Sequence, residues 1–364
     1  MPLLLAYRRW WLVLFAAILA LPTLGLFLPD LPGPVRPVTK VEEKWWIRAT
    51  EGLDPFINAH FGFRGLVMAA NASYARATHS TRSRPVVVGD GGQLYFTGDQ
   101  TLEQSLGLLV RSKPIADFVD VVTRLETRLK AQGITLVVAV PPNGATMLPG
   151  RLPGWARAQM HHPTELDIVS ERLPQNGVTF VDLRPILEAA RTAGGQIYRR
   201  TDTHWTQLGA VLAFNAAMSA AGRPELAIPL EEANGPLVPA ATGDLSRILG
   251  ESKATGDSDY EERLKAPPGL IPLKGLVPER PDSDPFQPYA FSTGHSGPSI
   301  LVIGDSFTQN FWPRLLAART SRFGWMHHSS CKFEADAIDR FKPDIVVYMP
   351  TERSLPCKGQ PSGM

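Results

Sequence analysis

Ser306, His204 and Asp202 are the residues of this chain whose types suit nucleophilic acyl transfer. A serine hydroxyl is a weak nucleophile until a base removes its proton, and a carboxylate commonly orients that base. Ser306 follows the apolar run Ser299–Ile303 through the turn Gly304-Asp305. This pattern predicts a hydroxyl at the end of a buried strand, where α/β sheets form crevices, and a backbone N–H that can face an oxyanion. Taken alone, however, such a run is more often a strand-to-helix turn capped by Asp or Ser.

Asp202 and His204 stand two residues apart, in the run from Thr201 to Trp205. In an extended segment such residues project to the same side, so the carboxylate can fix the imidazole tautomer. A separate Asp-x-His is often a solvated loop or a helix cap. Combined with Gly-Asp-Ser after a buried strand, it predicts that Ser306 is the nucleophile, His204 the general base and Asp202 its orienting carboxylate.

Other histidines and the cysteines give no case for a metal or cofactor. His161-His162 and His327-His328 are adjacent pairs, whose side chains point apart on a strand, and no carboxylate stands at ligand spacing. Cys331 and Cys357 are the two cysteines, without a Cys-x-x-Cys motif. They could form a disulfide or stay two unrelated thiols, because the sequence does not give their separation. We expect no metal and no cofactor.

Alternating strands and helices must position the candidate residues. The alternation of strands and helices along the chain implies an α/β domain with a mostly parallel sheet. A turn at Asp90-Gly91-Gly92 predicts a hairpin. The predicted strands are 85–89, 93–96, 134–140, 178–183, 299–303 and 344–349, and the predicted helices are 41–77, 117–132, 164–174, 207–221, 308–319 and 336–341. The stretch 251–297, rich in Pro, Gly and charge, is expected to be a loop-rich surface excursion.

The N-terminus predicts export with an uncleaved anchor. Trp10 to Leu28 is uncharged and apolar, about the length of a transmembrane helix, and Arg8-Arg9 before it favour a cytoplasmic N-terminus. A cleaved signal peptide is the alternative, but it would have a shorter apolar core and a small-residue cleavage site. We therefore expect a membrane anchor at 1–28, a Pro-rich stalk at 29–40 and a catalytic domain at 41–364 in the periplasm, held at the bacterial inner membrane. The net charge of +2, with scattered basic residues, argues against nucleic-acid binding.

The strand-Gly-Asp-Ser-helix pattern with a separate Asp-x-His resembles the SGNH hydrolase-like superfamily. Because Asp202 and His204 precede Ser306, the chain resembles more closely the alginate O-acetyltransferase family, the AlgJ and AlgX proteins. Few residues follow Arg353, so the likeness is to the anchored AlgJ type. Further matching motifs are Val86–Tyr95, Val140–Asn143 with Leu148-Pro149, Gly243–Leu245 and Met349–Arg353.

This resemblance implies a three-layer α/β/α domain that transfers acetyl groups through Ser306 to an exported polysaccharide. The acetyl donor would come from a multi-spanning membrane acyltransferase. A periplasmic carbohydrate esterase with the same three residues is one alternative, and a catalytically silent polysaccharide-binding assembly protein is another.

Four further residues are candidates for substrate or oxyanion contacts. Asn143 could donate to the oxyanion, although a turn-forming Asn explains it as well. Arg353 could bind a polysaccharide carboxylate or steady the oxyanion, or it could form an ion pair with Glu352. Trp205 and Trp312, beside the proposed site residues, could stack on sugar rings.

Overall fold

The computed structural model describes residues 7–25, 85–249, 256–265 and 267–364. The helices of these residues are α1 Arg8–Gly25, α2 Thr101–Ser105, α3 Ser112–Ala131, α4 Gly144–Met147, α5 Gly154–Arg157, α6 Glu165–Gln175, α7 Arg184–Thr192, α8 Gln207–Ala220, α9 Leu230–Ala233, α10 Asp244–Leu249, α11 Ser306–Gln309, α12 Pro313–Arg319 and α13 Asp336–Phe341. The strands are β1 Val86–Val88, β2 Leu94–Phe96, β3 Thr135–Ala139, β4 Phe180–Val181, β5 Asn234–Pro239, β6 Ser258–Glu262, β7 Ile271–Pro272, β8 Tyr289–Ser292, β9 Ser299–Gly304, β10 Arg322–His327 and β11 Ile345–Met349.

A seven-stranded sheet forms the centre of the domain, in the order β4-β3-β11-β9-β10-β8-β7. The strands from β4 to β10 pair in parallel, whereas β8 pairs antiparallel with both β10 and β7. The sheet is therefore mixed, with its parallel part around β9. Because β9 lies between β11 and β10, the residues that follow it emerge between two neighbouring strand ends.

Both faces of the sheet are covered by helices. Along β9, Ile300 and Val302 pack into one apolar cluster, while Leu301 and Ile303 pack into the other. This alternation follows from the two-residue period of a strand, and it explains why the run is apolar throughout. The first cluster is completed by side chains of α7, α8 and α12, and the second by side chains of α3, α6 and α13. The result is the expected three-layer α/β/α arrangement.

One predicted helix was wrong, and one predicted loop-rich stretch contains strands. The predicted helix 308–319 is two helices, α11 and α12, because Pro313 lacks the N–H that a continuing helix needs and instead occupies the first turn of a new one. The stretch expected to be a loop-rich surface excursion, 251–297, has three short strands among its described residues, β6, β7 and β8, and the last two extend the main sheet on its antiparallel edge.

The N-terminal predictions are only partly covered by the described residues. Helix α1 overlaps the predicted span Trp10–Leu28, but among the described residues none of the helices combines the length and apolar character that crossing a membrane requires. The predicted stalk and the predicted helix 41–77 lie outside the described residues.

Cys331 and Cys357 form a disulfide, with their Cα atoms 5.3 Å apart. Both residues are buried in the cluster beneath α3 and α13. The bond therefore joins the segment after β10 to the segment after β11, on the same side of the sheet.

Candidate active site

Ser306 is the first residue of α11, directly after β9. Asp305 caps this helix, since its Oδ1 accepts from the N–H of Phe307 at 3.0 Å. Its Oδ2 accepts from the N–H of Thr351 at 3.0 Å, which ties the end of β9 to the segment after β11. A side chain at Gly304 would place Cβ 2.2 Å from Thr308 Oγ1, so glycine is required there. The Gly-Asp pair is thus structural, and it holds the Ser306 hydroxyl at the sheet edge.

Ser306, His204 and Asp202 form a continuous chain of hydrogen bonds. His204 Nε2 lies 2.8 Å from Ser306 Oγ, and His204 Nδ1 lies 2.6 Å from Asp202 Oδ1. Asp202 Oδ1 also accepts from the backbone N–H of His204 at 3.0 Å. Because an ionised carboxylate only accepts, Nδ1 carries the proton and Nε2 is left to accept from the serine hydroxyl. Ser306 and His204 are partly exposed, whereas Asp202 is buried.

A second set of contacts holds Asp202 itself. Its Oδ2 accepts from Arg199 Nη1 and from the backbone N–H of Asp244, both at 3.2 Å. Gly243 allows this approach, because a Cβ there would lie 2.1 Å from the carbonyl oxygen of Thr201. The side chain of Asp244 accepts from the N–H and hydroxyl of Thr203 at 2.7 and 2.5 Å. Helix α10 therefore begins against the segment that carries His204.

The two carboxyl groups near His204 have pKa values displaced in opposite directions. Burial opposes ionisation of Asp202, but the hydrogen bonds and charge of His204, with the charge of Arg199, more than offset it and hold the pKa well below its usual range. Burial, followed by the negative charge of Asp202, raises the pKa of Asp244. Asp202 is therefore kept ionised beside the imidazole of His204, whereas Asp244 ionises less readily than an ordinary aspartate.

Asp202, His204 and Asp244 are also the one group among the described residues whose ligand atoms lie close enough to hold a metal ion, all within 4.8 Å. Asp202 already accepts four hydrogen bonds, two from His204 and one each from Arg199 and the N–H of Asp244, and Thr203 donates to both oxygens of Asp244. This donor pattern fits carboxylates that orient an imidazole better than it fits a cation site.

Arg353 lies over the ring of Phe307, the residue after Ser306, with its Cζ 5.3 Å from the ring centroid. It lines a small cleft together with Asn143, Asp202 and Thr203. The predicted ion pair with Glu352 does not form: the Glu352 carboxylate accepts from the Asn143 N–H and the Thr146 hydroxyl instead. Within the described part of the chain, the Arg353 guanidinium makes no ion pair with any acid.

The side chain of Asn143 is buried, and its Nδ2 donates to Ser105 Oγ at 2.9 Å. Its Oδ1 has no hydrogen-bond partner among the described residues. The amide is therefore partly committed to a structural contact, although it lines the same small cleft as Arg353 and Asp202.

The family described as the SGNH hydrolase-like domain of acetyltransferase AlgX matches residues 86–321. The chain belongs to this family. Two probable alginate O-acetylases AlgJ are among its relatives. The Pseudomonas fluorescens protein is 37% identical over 86 residues, which cover 24% of this chain and 22% of that protein. The Pseudomonas aeruginosa protein is 30% identical over 125 residues, which cover 34% and 30% respectively. The chain thus spans less than a third of the length of these curated relatives.

Two solved structures are similar to the domain. Bacillus cereus PatB1 with a sulfonyl adduct aligns with a TM-score of 0.54 at 16% identity, covering 74% of this chain and 95% of that one. The O-acetyltransferase domain of Pseudomonas putida AlgJ aligns with a TM-score of 0.44 at 21% identity, covering 76% and 93%. Together with the family match, the similarity to PatB1 confirms the predicted SGNH hydrolase-like fold.

The two tryptophans predicted as sugar platforms are instead core residues in this member of the family. Trp205 and Trp312 are fully buried, and their indole N–H groups donate to the carbonyl oxygens of Phe307 and Ala210 at 3.2 Å. An enclosed ring offers no face to a sugar, so the stacking prediction was wrong for both. Trp205 instead packs edge-on against Phe307, whose ring lies 4.9 Å from the imidazole of His204, so it supports the site from beneath.

Sequence reasoning missed the contacts of Asp244, Arg199 and Glu352. Asp244 and Glu352 stood within motifs already noted, Gly243–Leu245 and Met349–Arg353, but nothing in those motifs indicated their partners. The contacts of Asp244 with Thr203 and of Glu352 with Asn143 span more than 40 residues of sequence, whereas Arg199 lies only three residues from Asp202. Spacing along the chain carries no signal at that distance.

Proposed function

We propose that this protein is an O-acetyltransferase that moves an acetyl group, through an acyl ester on Ser306, to a hydroxyl of an exported polysaccharide. The observation that carries the proposal is the chain of hydrogen bonds from Ser306 Oγ through His204 to Asp202, with distances of 2.8 and 2.6 Å. Membership of the AlgX acetyltransferase family and the similarity to probable alginate O-acetylases support the acyl group and the class of acceptor.

In the first half-reaction, His204 Nε2 takes the proton of Ser306 as Oγ attacks the carbonyl carbon of the acetyl donor. The C–O bond to the donor's alcohol then breaks, and that oxygen leaves with the proton from His204. The first-turn N–H of α11 at Ser306 has no acceptor within the helix, so it is available to the oxyanion. Asp202 stays ionised throughout and stabilises the imidazolium.

In the second half-reaction, a sugar hydroxyl replaces the donor alcohol. His204 removes its proton, the sugar oxygen attacks the acyl carbon, and Ser306 recovers its proton as the ester bond breaks. Arg353 has no acidic partner among the described residues and lines the same small cleft as Asp202, which supports a role for it in holding the oxyanion or an acceptor carboxylate. Asn143 is a candidate second donor from the same cleft.

Location and donor supply belong to the same proposal. A buried disulfide such as Cys331–Cys357 is typical of proteins in oxidising compartments, which supports a periplasmic site of action. A multi-spanning membrane acyltransferase would supply the acetyl group across the inner membrane, since acetyl donors are made on the other side.

The test combines an acetyl ester donor with candidate oligosaccharides and three proteins: wild type, Ser306→Ala, and Ser219→Ala as a matched control. Ser219 is an exposed serine on α8. We expect only wild type and Ser219→Ala to acetylate the sugar. In a separate treatment with a sulfonyl fluoride, the same two proteins should carry an adduct on Ser306, which mass spectrometry detects.

The two alternatives give different results in the same assay. Ser306-dependent acetate release without acetylated sugar would identify an esterase, in which water resolves the acyl-serine. Equal behaviour of Ser306→Ala and wild type with every donor would refute the catalytic proposal and favour a polysaccharide-binding protein.

A further inference from the structure

We propose that His328 is a positioning residue for the reaction of Ser306, because its contacts with Gly304 and Asp305 hold the turn from which the nucleophile projects. This inference rests on the proposed function, since it concerns the same serine. His328 directly follows β10, a strand that pairs in parallel with β9, and its side chain is buried. It belongs to the adjacent pair His327-His328, to which the acyl-transfer reaction assigns no part.

His328 contacts both residues that precede the nucleophile. Its backbone N–H donates to the carbonyl oxygen of Gly304 at 3.0 Å. Its Nε2 lies 3.5 Å from Oδ2 of Asp305, and the two side chains are only 2% and 6% exposed. Nε2 makes no hydrogen bond to another group of the described residues, so the Asp305 carboxylate is the acceptor that it faces. The segment after β10 therefore holds the turn before Ser306 by main chain and side chain together.

The turn that follows His328 fixes which ring nitrogen carries the proton. Nδ1 of His328 accepts from the backbone N–H of Ser330 at 3.0 Å. A nitrogen that accepts a hydrogen bond carries no proton, so the ring proton is on Nε2, the nitrogen beside Asp305. The attraction between this N–H and a buried carboxylate is strengthened by the low local dielectric.

Asp305 uses both carboxylate oxygens to hold the backbone around the nucleophile. Its Oδ1 accepts from the N–H of Phe307 at the start of α11, and its Oδ2 accepts from the N–H of Thr351. Burial opposes ionisation of Asp305, but the contact with His328 and the charge of Arg353 more than offset it and hold the pKa well below its usual range. His328 therefore keeps Asp305 in the form that accepts both bonds.

The turn that orients the His328 imidazole has an unfavourable backbone conformation. The three residues Ser329–Cys331 have positive φ angles, of 49°, 50° and 73°. Such angles are costly for residues other than glycine and persist only where surrounding contacts impose them. The disulfide to Cys357 holds one end of this turn, and the N–H of Lys358 donates to the carbonyl oxygen of Ser330 at 3.0 Å. The fold thus maintains a costly turn where its N–H sets the tautomer of His328.

A small displacement of the turn before Ser306 would change the geometry of attack. Ser306 Oγ lies 2.8 Å from His204 Nε2, and the N–H of Ser306 is the proposed oxyanion donor. Misplacing a reacting atom by about 1 Å can lower a rate by on the order of 10²-fold. Because the side chain of His328 is buried, we expect it to affect kcat and to leave KM unchanged.

The experiment compares substitutions that replace different atoms of the His328 ring. The amide of His328→Gln reaches about as far as Nε2 and can donate to Asp305, whereas the shorter amide of His328→Asn reaches only the place of Nδ1. His328→Phe keeps a buried ring without nitrogen, and it replaces His328→Asn in every comparison if the asparagine variant does not fold. His161→Asn is the matched control, because His161 is an exposed histidine.

Two rates are measured on the full-length proteins, at a temperature where thermal unfolding shows each variant to be folded. Turnover of an aryl acetate gives kcat and KM, and mass spectrometry gives the rate at which a sulfonyl fluoride labels Ser306. The same measurements are made on Asp305→Asn with and without His328→Asn. Asp305→Asn keeps an acceptor for the cap of α11 but removes the charge that His328 faces.

We expect His328→Asn to lower both kcat and the labelling rate about 10-fold at unchanged KM, the order of one hydrogen bond to a charged group. His328→Gln should keep most of the activity, and His161→Asn all of it. In the Asp305→Asn background, His328→Asn should cause little further loss, because residues that act through one contact are not additive. A residue that contributed only to stability would change neither kcat nor the labelling rate of the folded protein.

Three results would each overturn the role of His328: wild-type kcat in His328→Asn, equal losses in His328→Gln and His328→Asn, or a full further loss in the Asp305→Asn background. Labelling of Ser306 requires neither an acetyl group nor a sugar, so it tests the position of the hydroxyl even if water is the acceptor. Failure of the proposed function would appear separately, as ester turnover that Ser306→Ala retains.

Discussion

The buried carboxyl of Glu352 predicts a pH dependence of stability that a single substitution should remove. Glu352 has no exposed surface, and its Oε2 accepts from the Asn143 N–H and the Thr146 hydroxyl, both at 2.7 Å. Its Oε1 has no partner among the described residues, and neither do Gln104 Oε1 and Asn143 Oδ1 in the same cluster. An amide or a protonated carboxyl could donate to these acceptors, whereas a carboxylate cannot.

Burial raises the pKa of Glu352 from 4.5 to about 7. This value already includes the hydrogen bonds from Asn143 and Thr146 and the charge of Arg184, which lower the pKa, and the charge of Asp167, which raises it. The difference from the ordinary value corresponds to about 3 kcal/mol in the free energy of unfolding. Since the raised pKa belongs to the folded state, this stability is fully present below about pH 4.5 and is lost as the pH rises through about 7.

The substitution Glu352→Gln keeps the acceptor for Asn143 and Thr146 and cannot ionise. We expect the free energy of unfolding of wild type, relative to Glu352→Gln, to fall by about 3 kcal/mol between pH 4.5 and 8. Urea unfolding of both proteins across this range, with the disulfide kept oxidised, measures the difference. Glu334→Gln is the matched control, because it makes the same substitution at an exposed glutamate whose side chain keeps about half of its surface accessible.

A flat difference between wild type and Glu352→Gln over the same range would refute the reasoning. It would mean that Glu352 ionises in the folded state as readily as in the unfolded chain, through water or a rearranged cluster. A difference that grows with pH would have the opposite sign, and it would indicate a carboxylate stabilised by Arg353 or another cation.

Three further predictions concern other parts of the domain. Asp202→Asn should lower kcat/KM for Ser306-dependent ester turnover by about 10³–10⁴-fold, because an amide can hold the wrong imidazole tautomer; a loss below 10-fold would contradict the assigned role. Gly304→Ala should lower the unfolding free energy by about 1–3 kcal/mol and with it the Tm, since its Cβ would lie 2.2 Å from Thr308 Oγ1, and an unchanged Tm would exclude that clash. Replacing Cys331 and Cys357 with serine should cost about 3 kcal/mol in denaturant unfolding, as expected for a disulfide across a 26-residue separation, whereas equal stability of the oxidised wild type and the variant would count against the cross-link.

Elements with a strong local signal could be predicted from the sequence. The helix predicted at 207–221 is α8, Gln207–Ala220, and Thr206 caps it by accepting from the Gly209 N–H. The strand predicted at 299–303 is β9, Ser299–Gly304, buried on both faces. In both elements, residues adjacent in sequence determine the secondary structure. Helix α8 has a capping residue followed by helix-forming residues, and strand β9 is an unbroken apolar run.

The roles of aromatic and charged residues could not be predicted in the same way. A tryptophan near a site suits a sugar platform or the core equally, and only tertiary packing, of Trp205 against Phe307 and of Trp312 against Phe214, places both rings inside. Likewise, Arg353 and Glu352 are neighbours in sequence, yet they point to different partners, because Glu352 is turned inward toward Asn143. Residue type limits the possible roles, and tertiary contacts choose among them.

The order of the catalytic residues along the chain has little bearing on their geometry in space. Asp202 and His204 precede Ser306 by about one hundred residues, so no local constraint brings them together. The segment from Arg199 to His204 is fixed instead by contacts from other parts of the fold: the Gln93 side chain holds its carbonyl oxygens, and Asp257 accepts from the N–H groups of Arg200 and Thr201 at 3.0 and 3.1 Å. A serine at the end of β9 then needs only to face this segment. The same three side chains can therefore be supplied in either order, provided that the segment is fastened to the edge of the sheet where β9 ends.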